Sequence, residues 1–215
     1  MNQQLSICQK KVVFWDFDGV VKESVEIKTI AFIKLFEPFG ADVTNKVREH
    51  HLLNGGMSRF KKIPLYLSWA GQPADKNTTQ TFCDQFAKLV IDEVINCEWV
   101  PGAQVFLNEN RFNQLFIVTS ATPQVEMEMI ITALDLQSVF SRVYGAPVAK
   151  KDAIAKALAE LNIDREHAVM IGDATADYNA AVENGIAFVL RRHKSNKASF
   201  LSYDGLAIEN ITELV

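Results

Sequence analysis

The sequence has no apolar stretch of the roughly 18 residues that a membrane-spanning helix needs. Its start, MNQQLSICQKK, lacks a charged segment followed by a long apolar one. A soluble, cytoplasmic protein that does not engage a membrane is expected. Cysteine is scarce: Cys8, Cys83 and Cys97 stand far apart with no CxxC pair, which argues against a disulfide framework or a cysteine-ligated zinc site. Positive charge is not in excess either. With 22 Lys+Arg against 26 Asp+Glu the formal charge is −4, so no broad field draws nucleic acid, and a small anionic ligand must be held by local cations or a metal. No repeat, low-complexity tract or long linker interrupts the 215 residues, enough for one domain carrying an insert.

What is present is a set of short apolar runs, each closed by polar side chains. Residues 12–15 form an unbroken apolar run that stops at Asp16, the pattern of a strand buried on both faces of a parallel sheet. Residues 115–118 end at Thr119 and Ser120, residues 168–171 end at Gly172 and Asp173, and 187–190 make a fourth run. Helical periods lie at 124–134 and 151–161, where Ile154, Leu158 and Leu161 form an apolar stripe. Strands alternating with helices predict an α/β fold with a doubly wound parallel sheet. Ligands of such sheets sit beyond the carboxyl ends of the strands, so the polar residues closing the runs should converge there. Residues 22–98 differ. Apolar side chains recur at helical spacing (Ile30, Ile33, Phe36, then Phe82, Phe86, Leu89) and no run closes on a carboxylate. That predicts a helical insert lying over the strand ends.

Asp16-Phe17-Asp18-Gly19 puts two carboxylates two residues apart at a strand end, followed by a glycine that permits the turn away. One carboxylate can attack phosphorus to form an acyl phosphate. A second, protonated, can give its proton to the leaving oxygen and then take one from water. Gly172-Asp173-Ala174-Thr175-Ala176-Asp177 brings two more acids to another strand end. Four carboxylates on one sheet edge repel unless a cation lies among them, and hard oxygen ligands favour Mg²⁺. Thr119 and Ser120 can offer hydroxyl and N–H groups to a phosphate at a helix start, or simply cap that helix. Lys150 and Lys151 precede another helix, an odd place for cations unless carboxylates or solvent receive them. Lys150, four residues before Ile154, is the first choice for the site and Lys151 the fallback. His50 and His51 read as the surface of the insert, and Arg191, Arg192 and His193 as a solvated loop.

In this order the residues resemble the haloacid dehalogenase-like superfamily from 12 to about 190. Asp16 and Asp18 match its first motif, Ser120 the second, Lys150 the third, and Asp173 with Asp177 the fourth. The resemblance implies a Rossmann-like catalytic core over 1–21 and 99–215 with an α-helical cap over 22–98. It implies Asp16 as nucleophile, Asp18 as acid and base, and Ser120 and Lys150 as catalytic partners, with Mg²⁺ as cofactor held by Asp16, Asp18, Asp173 and Asp177. Thr119 and Ala121, flanking Ser120, would meet the substrate. Gly56-Met57-Ser58-Arg59 resembles the cap loop of members of the β-phosphoglucomutase type, which implies that Gly56 and Arg59 touch the rest of the substrate. Two departures stand out: Lys28 occupies the position where the mutases carry a histidine, and no proline follows the third-motif lysine. The first favours hydrolysis of a small phosphorylated metabolite, sugar phosphates foremost, over the alternative of a phosphomutase. Asp18 argues against dehalogenation, which needs no proton donor. A silent binding module would keep four mutually repelling acids to no purpose.

Overall fold

The computed structural model describes residues 7–214, so residues 1–6 and 215 of the expected core lie outside the described residues. Its six strands are β1 (Val12–Trp15), β2 (Leu115–Pro123), β3 (Phe140–Ala146), β4 (Ala168–Gly172), β5 (Ala187–Arg191) and β6 (Ala207–Ile208). They form one parallel sheet in the order β3-β2-β1-β4-β5-β6. This is the Rossmann-like α/β architecture that the alternating pattern predicts.

Strand β1 is at the centre because it is apolar on both faces. Val13 and Trp15 pack with α5 (Ala103–Glu109) and α6 (Gln124–Ala133), whereas Val12 and Phe14 pack with α7 (Lys150–Leu161) and α8 (Thr175–Asn184). All four side chains are fully buried, each worth roughly 1.5–3 kcal/mol before ordering entropy is counted. The chain runs outward from β1 to β3, then returns to the other side of β1 and runs outward again to β6. The reversal opens a crevice beyond the carboxyl ends of the central strands.

Two strands fall outside the sequence expectation. Strands β3 and β6 lie at the sheet edges, and β3 carries exposed Ser141 and half-buried Arg142, Val143 and Tyr144, so it offers no continuous apolar run. Strand β2 also extends past Val118 to Pro123, which makes Thr119 and Ser120 strand residues rather than the start of a helix.

Between β1 and α5 lie four helices, α1 (Val25–Phe36), α2 (Ala41–Leu53), α3 (Arg59–Trp69) and α4 (Lys76–Asn96). They pack round their own aromatic centre, with Phe32 and Phe86 at 4.1 Å between ring centroids and Phe36 edge-on to Tyr66 at 5.6 Å. The two connections to the sheet are hydrogen-bonded to each other, Val100 N donating to Val21 O at 3.0 Å and Glu23 N to Glu98 O at 2.9 Å. That pairing seats the helices over the crevice.

Candidate active site

A cavity of about 70 Å³ lies between the strand ends and the four helices, lined from below by Asp16, Asp18, Lys150 and Asp173 and from above by Lys28, His51, Arg59 and Lys62. Asp16 follows β1 directly, with its carboxylate accepting from Phe17 N at 2.7 Å and paired with Lys150 Nζ at 2.8 Å. Lys150 also reaches Asp177 Oδ1 at 2.5 Å. Burial alone acts to lower the Lys150 ammonium, but Asp16 and Asp177 outweigh it and raise its pKa above the ordinary value. Those two carboxylates explain a cation at the first turn of α7, where the helix dipole opposes one. Lys151 is exposed and pairs with Glu183 at 3.3 Å on the surface.

Asp177 sits in the first turn of α8 and accepts from Ala174 N at 3.0 Å, so the helix start holds it in place. Asp16, Asp173 and Asp177 bring carboxylate oxygens within 4.8 Å of one another. Burial pushes all three carboxyls above their ordinary values. Asp177 adds to the push on Asp16, Asp16 to that on Asp173, and Asp173 to that on Asp177. Lys150 does not compensate them. A hard-oxygen cluster short of positive charge fits a divalent cation.

Asp18 lies in a different environment. Ser24 Oγ donates to its Oδ1 at 2.6 Å, while Lys28 Nζ at 2.5 Å and Thr122 Oγ1 at 3.3 Å meet its Oδ2. Burial acts to raise this carboxyl, yet the Lys28 charge and the Lys28 and Ser24 hydrogen bonds prevail and hold it below the usual carboxylate value. Its carboxylate is engaged by these three groups and is not part of the cluster that Asp16, Asp173 and Asp177 form, and the chain turns at the next residue. Gly19 makes this turn with φ at +75°, a conformation that favours glycine.

The remaining predicted residues are placed unevenly. Ser120 Oγ accepts from Thr122 N at 3.1 Å and is buried outside the cavity lining, whereas its neighbour Ala121 lines the cavity. Thr119, expected at the substrate, instead directs its hydroxyl into the core toward Met170 Sδ at 3.6 Å. Gly56 lies against α8, where an added Cβ would meet Ala176 Cβ at 2.6 Å. Arg59, expected to be open to substrate, is 5% exposed and gives both terminal nitrogens to Glu126 on α6, at 3.0 and 2.6 Å, while stacking on Phe86. It ties α3 to the sheet domain.

Several residues escaped the sequence reading. His51 is buried and faces the cavity, where its Nδ1 meets Lys62 Nζ at 2.8 Å, so the expectation of a surface residue is corrected. His193 is no solvated loop residue: its Nδ1 accepts from Ser195 N at 3.2 Å, which leaves Nε2 to donate to Asp173 Oδ2 at 2.8 Å. Asn196 Nδ2 braces the same aspartate through its carbonyl at 2.8 Å. Arg191 is buried on Glu23. The rule that polar residues closing an apolar run converge on the site would have flagged His193, which follows β5. Nothing local in the sequence marks His51 or Lys62.

The family described as haloacid dehalogenase-like hydrolase matches residues 13–190. Among solved structures, CbbY from Rhodobacter sphaeroides in complex with xylulose-(1,5)-bisphosphate is similar at 17% identity, covering 95% of this chain and 96% of that one with a TM-score of 0.77. A β-phosphoglucomutase from Clostridium difficile is similar at 19% identity, with coverages of 96% and 93% and a TM-score of 0.75. A predicted phosphoglycolate phosphatase from Haemophilus somnus is similar at 16% identity, with coverages of 93% and 94% and a TM-score of 0.70. These likenesses share the fold, and the family match over most of the chain shows that it belongs to the haloacid dehalogenase-like hydrolase family.

Proposed function

We propose that this protein is a Mg²⁺-dependent phosphatase that hydrolyses a small phosphomonoester through a phosphoryl-aspartate at Asp16, with sugar phosphates the first class to assay. The observation that carries this reading is the division of labour between two carboxylates at one strand end. Asp16 is in the acid cluster beside Lys150, and Asp18 is apart from it on Ser24, Lys28 and Thr122. Lys28 and Ser24 hold Asp18 as the carboxylate that a base needs, whereas burial and acidic neighbours disfavour a charged Asp16, so attack by Asp16 calls for the counter-charge of Lys150 and a bound cation.

Asp16 attacks phosphorus, and the ester bond to the leaving oxygen breaks. The proton for the leaving oxygen passes from Lys28 Nζ through Asp18, which leaves Asp18 a carboxylate beside a neutral amine. Asp18 then removes a proton from the water that splits the phosphoryl-aspartate and returns it to Lys28, and inorganic phosphate leaves. Lys150 holds Asp16 in line, and the N–H groups and Ser120 hydroxyl at the end of β2 receive phosphate oxygens. Asp16, Asp173 and Asp177, with the Asp18 carbonyl, would hold the metal. A Mg²⁺ bound there would lower the repulsion between a phosphate dianion and the acid cluster. His193 and Asn196 fix the position of Asp173, which would steady it as a ligand. We further propose that residues 22–98 act as the cap that closes this site, with Gly56 and Arg59 shaping its edge.

Turnover of 4-nitrophenyl phosphate with Mg²⁺ tests the scheme. Asp16→Asn should abolish phosphate release, and Asp18→Asn should slow it by about 10²-fold or more. An Asp16→Asn protein, shown to be free of deamidation, that kept wild-type turnover would end the assignment.

A further inference from the structure

Among the described residues, four Lys and Arg side chains line the cavity, and three of them already have a carboxylate. Asp18 holds Lys28, Glu126 holds Arg59, and Asp16 with Asp177 hold Lys150. The fourth, Lys62 on α3, is 1% exposed and has no carboxylate within ion-pair distance. Its Nζ donates to His51 Nδ1 at 2.8 Å and lies 5.7 Å from the centre of the Phe32 ring. His51 is held well below its ordinary value by burial and by Lys62. It is therefore a neutral acceptor whose own proton sits on Nε2. An ammonium has three N–H donors, so Lys62 keeps two for another acceptor.

A buried ammonium without a counter-charge is costly, and a methionine would fill the same space without that cost. Arg59, the cation singled out from sequence, already has its charge matched by the paired bonds to Glu126. Lys28 is engaged by Asp18 and Thr122.

We propose that Lys62, oriented by His51 and flanked by Lys28, is a subsite for a second oxyanion on the leaving portion of the substrate. The inference rests on the phosphatase reading and names its substrate class: a short phosphomonoester carrying a carboxylate or a second phosphate. The missing counter-charge of Lys62 is then supplied by the substrate, with charge-assisted hydrogen bonds that a neutral alcohol cannot make. Because the contact is remote from phosphorus, it bears on the choice among substrates rather than on the transfer itself.

Three matched probes test this: 2-hydroxyethyl phosphate, phosphoglycolate and ethylene glycol bisphosphate. The wild-type protein with Mg²⁺ should show a kcat/KM about tenfold or more higher for at least one anionic probe than for the neutral one. Whichever probe is favoured identifies the oxyanion. Lys62→Met should bring that ratio close to one. Binding of the same probes to the Asp16→Asn protein, measured by calorimetry with and without Lys62→Met, reads the subsite without turnover and should show the same loss of preference. No preference in the wild-type protein, or a preference unchanged by Lys62→Met in both measurements, would overturn the proposal. Failure of the wild-type protein to hydrolyse 4-nitrophenyl phosphate would instead strike the phosphatase reading and leave the binding measurement to decide on Lys62.

Discussion

At the scale of the residue, Lys62 shows a side chain placed against the interest of the fold. Burial and then the neighbouring Lys28 charge push its ammonium down to about 7 from an ordinary 10.5, with Asp18 pulling weakly the other way. Between those two values the unfolded chain binds a proton that the folded protein does not, so folding stability falls as pH drops from about 10.5 to 7. Below 7 the cost is fully present. Lys62→Met removes it, at the expense of leaving His51 Nδ1 without its donor. The variant should therefore be more stable than the wild-type protein at pH 7, by about 1–2 kcal/mol. That advantage should shrink as pH rises toward 10. Urea unfolding at pH 6.5, 8 and 9.5 measures it. An equal loss of stability at all three would mean that Lys62 contributes through packing instead.

At the scale of the element, the helical insert and the sheet domain share one apolar core and come especially close at two places. The Arg59–Glu126 pair joins α3 to α6, and the 54–58 loop lies on the first turn of α8, with Gly55 facing Ala174 and Gly56 facing Ala176. The absence of a side chain at Gly56 permits that approach. Gly56→Ala would place a methyl 2.6 Å from Ala176 Cβ, closer than real carbon contacts, with no flexible side chain to yield. The loop must back away, and with it the upper wall of the cavity. We expect kcat/KM for every phosphomonoester to fall by about tenfold while folding stability changes by no more than about 1 kcal/mol, since the aromatic centre of the insert is untouched. A Gly56→Ala protein with wild-type kcat/KM would show that this loop is not seated during turnover.

At the scale of the whole molecule, the sheet gathers acids from β1 and β4 and leaves them under-compensated. Folding carries the electrostatic cost, and a cation that binds only the folded state returns stability by mass action. Mg²⁺ at a hundredfold excess over its dissociation constant should stabilise the protein by about 2.7 kcal/mol, seen as a rise in the thermal midpoint that a chelator reverses. Asp173→Asn should abolish most of the rise, since it removes one of the three clustered carboxylates. The chelated protein should also be silent toward 4-nitrophenyl phosphate, with activity restored by excess Mg²⁺. A thermal midpoint indifferent to Mg²⁺ would mean that Lys150 is the only counter-charge the cluster uses.

The sequence by itself determined the fold class and the order of the acids. Runs such as 12–15 and 168–171 are apolar at every position because both faces of a central parallel strand are buried, and that pattern is local. The aspartates closing those runs were legible for the same reason, as chain position alone puts them at strand ends. Strands β3 and β6 were not legible, because an edge strand is half solvated and its composition resembles a loop. Tertiary structure alone decided which partner each site residue has. Asp18 meets Lys28 from α1 and Thr122 from β2, Asp173 meets His193 from beyond β5, and Arg59 is drawn to Glu126. His51 and Lys62 come together because α2 and α3 pack side by side. These pairings span up to about a hundred residues, and no local periodicity records them. They follow from which helix faces the packed core leaves pointing into one small cavity.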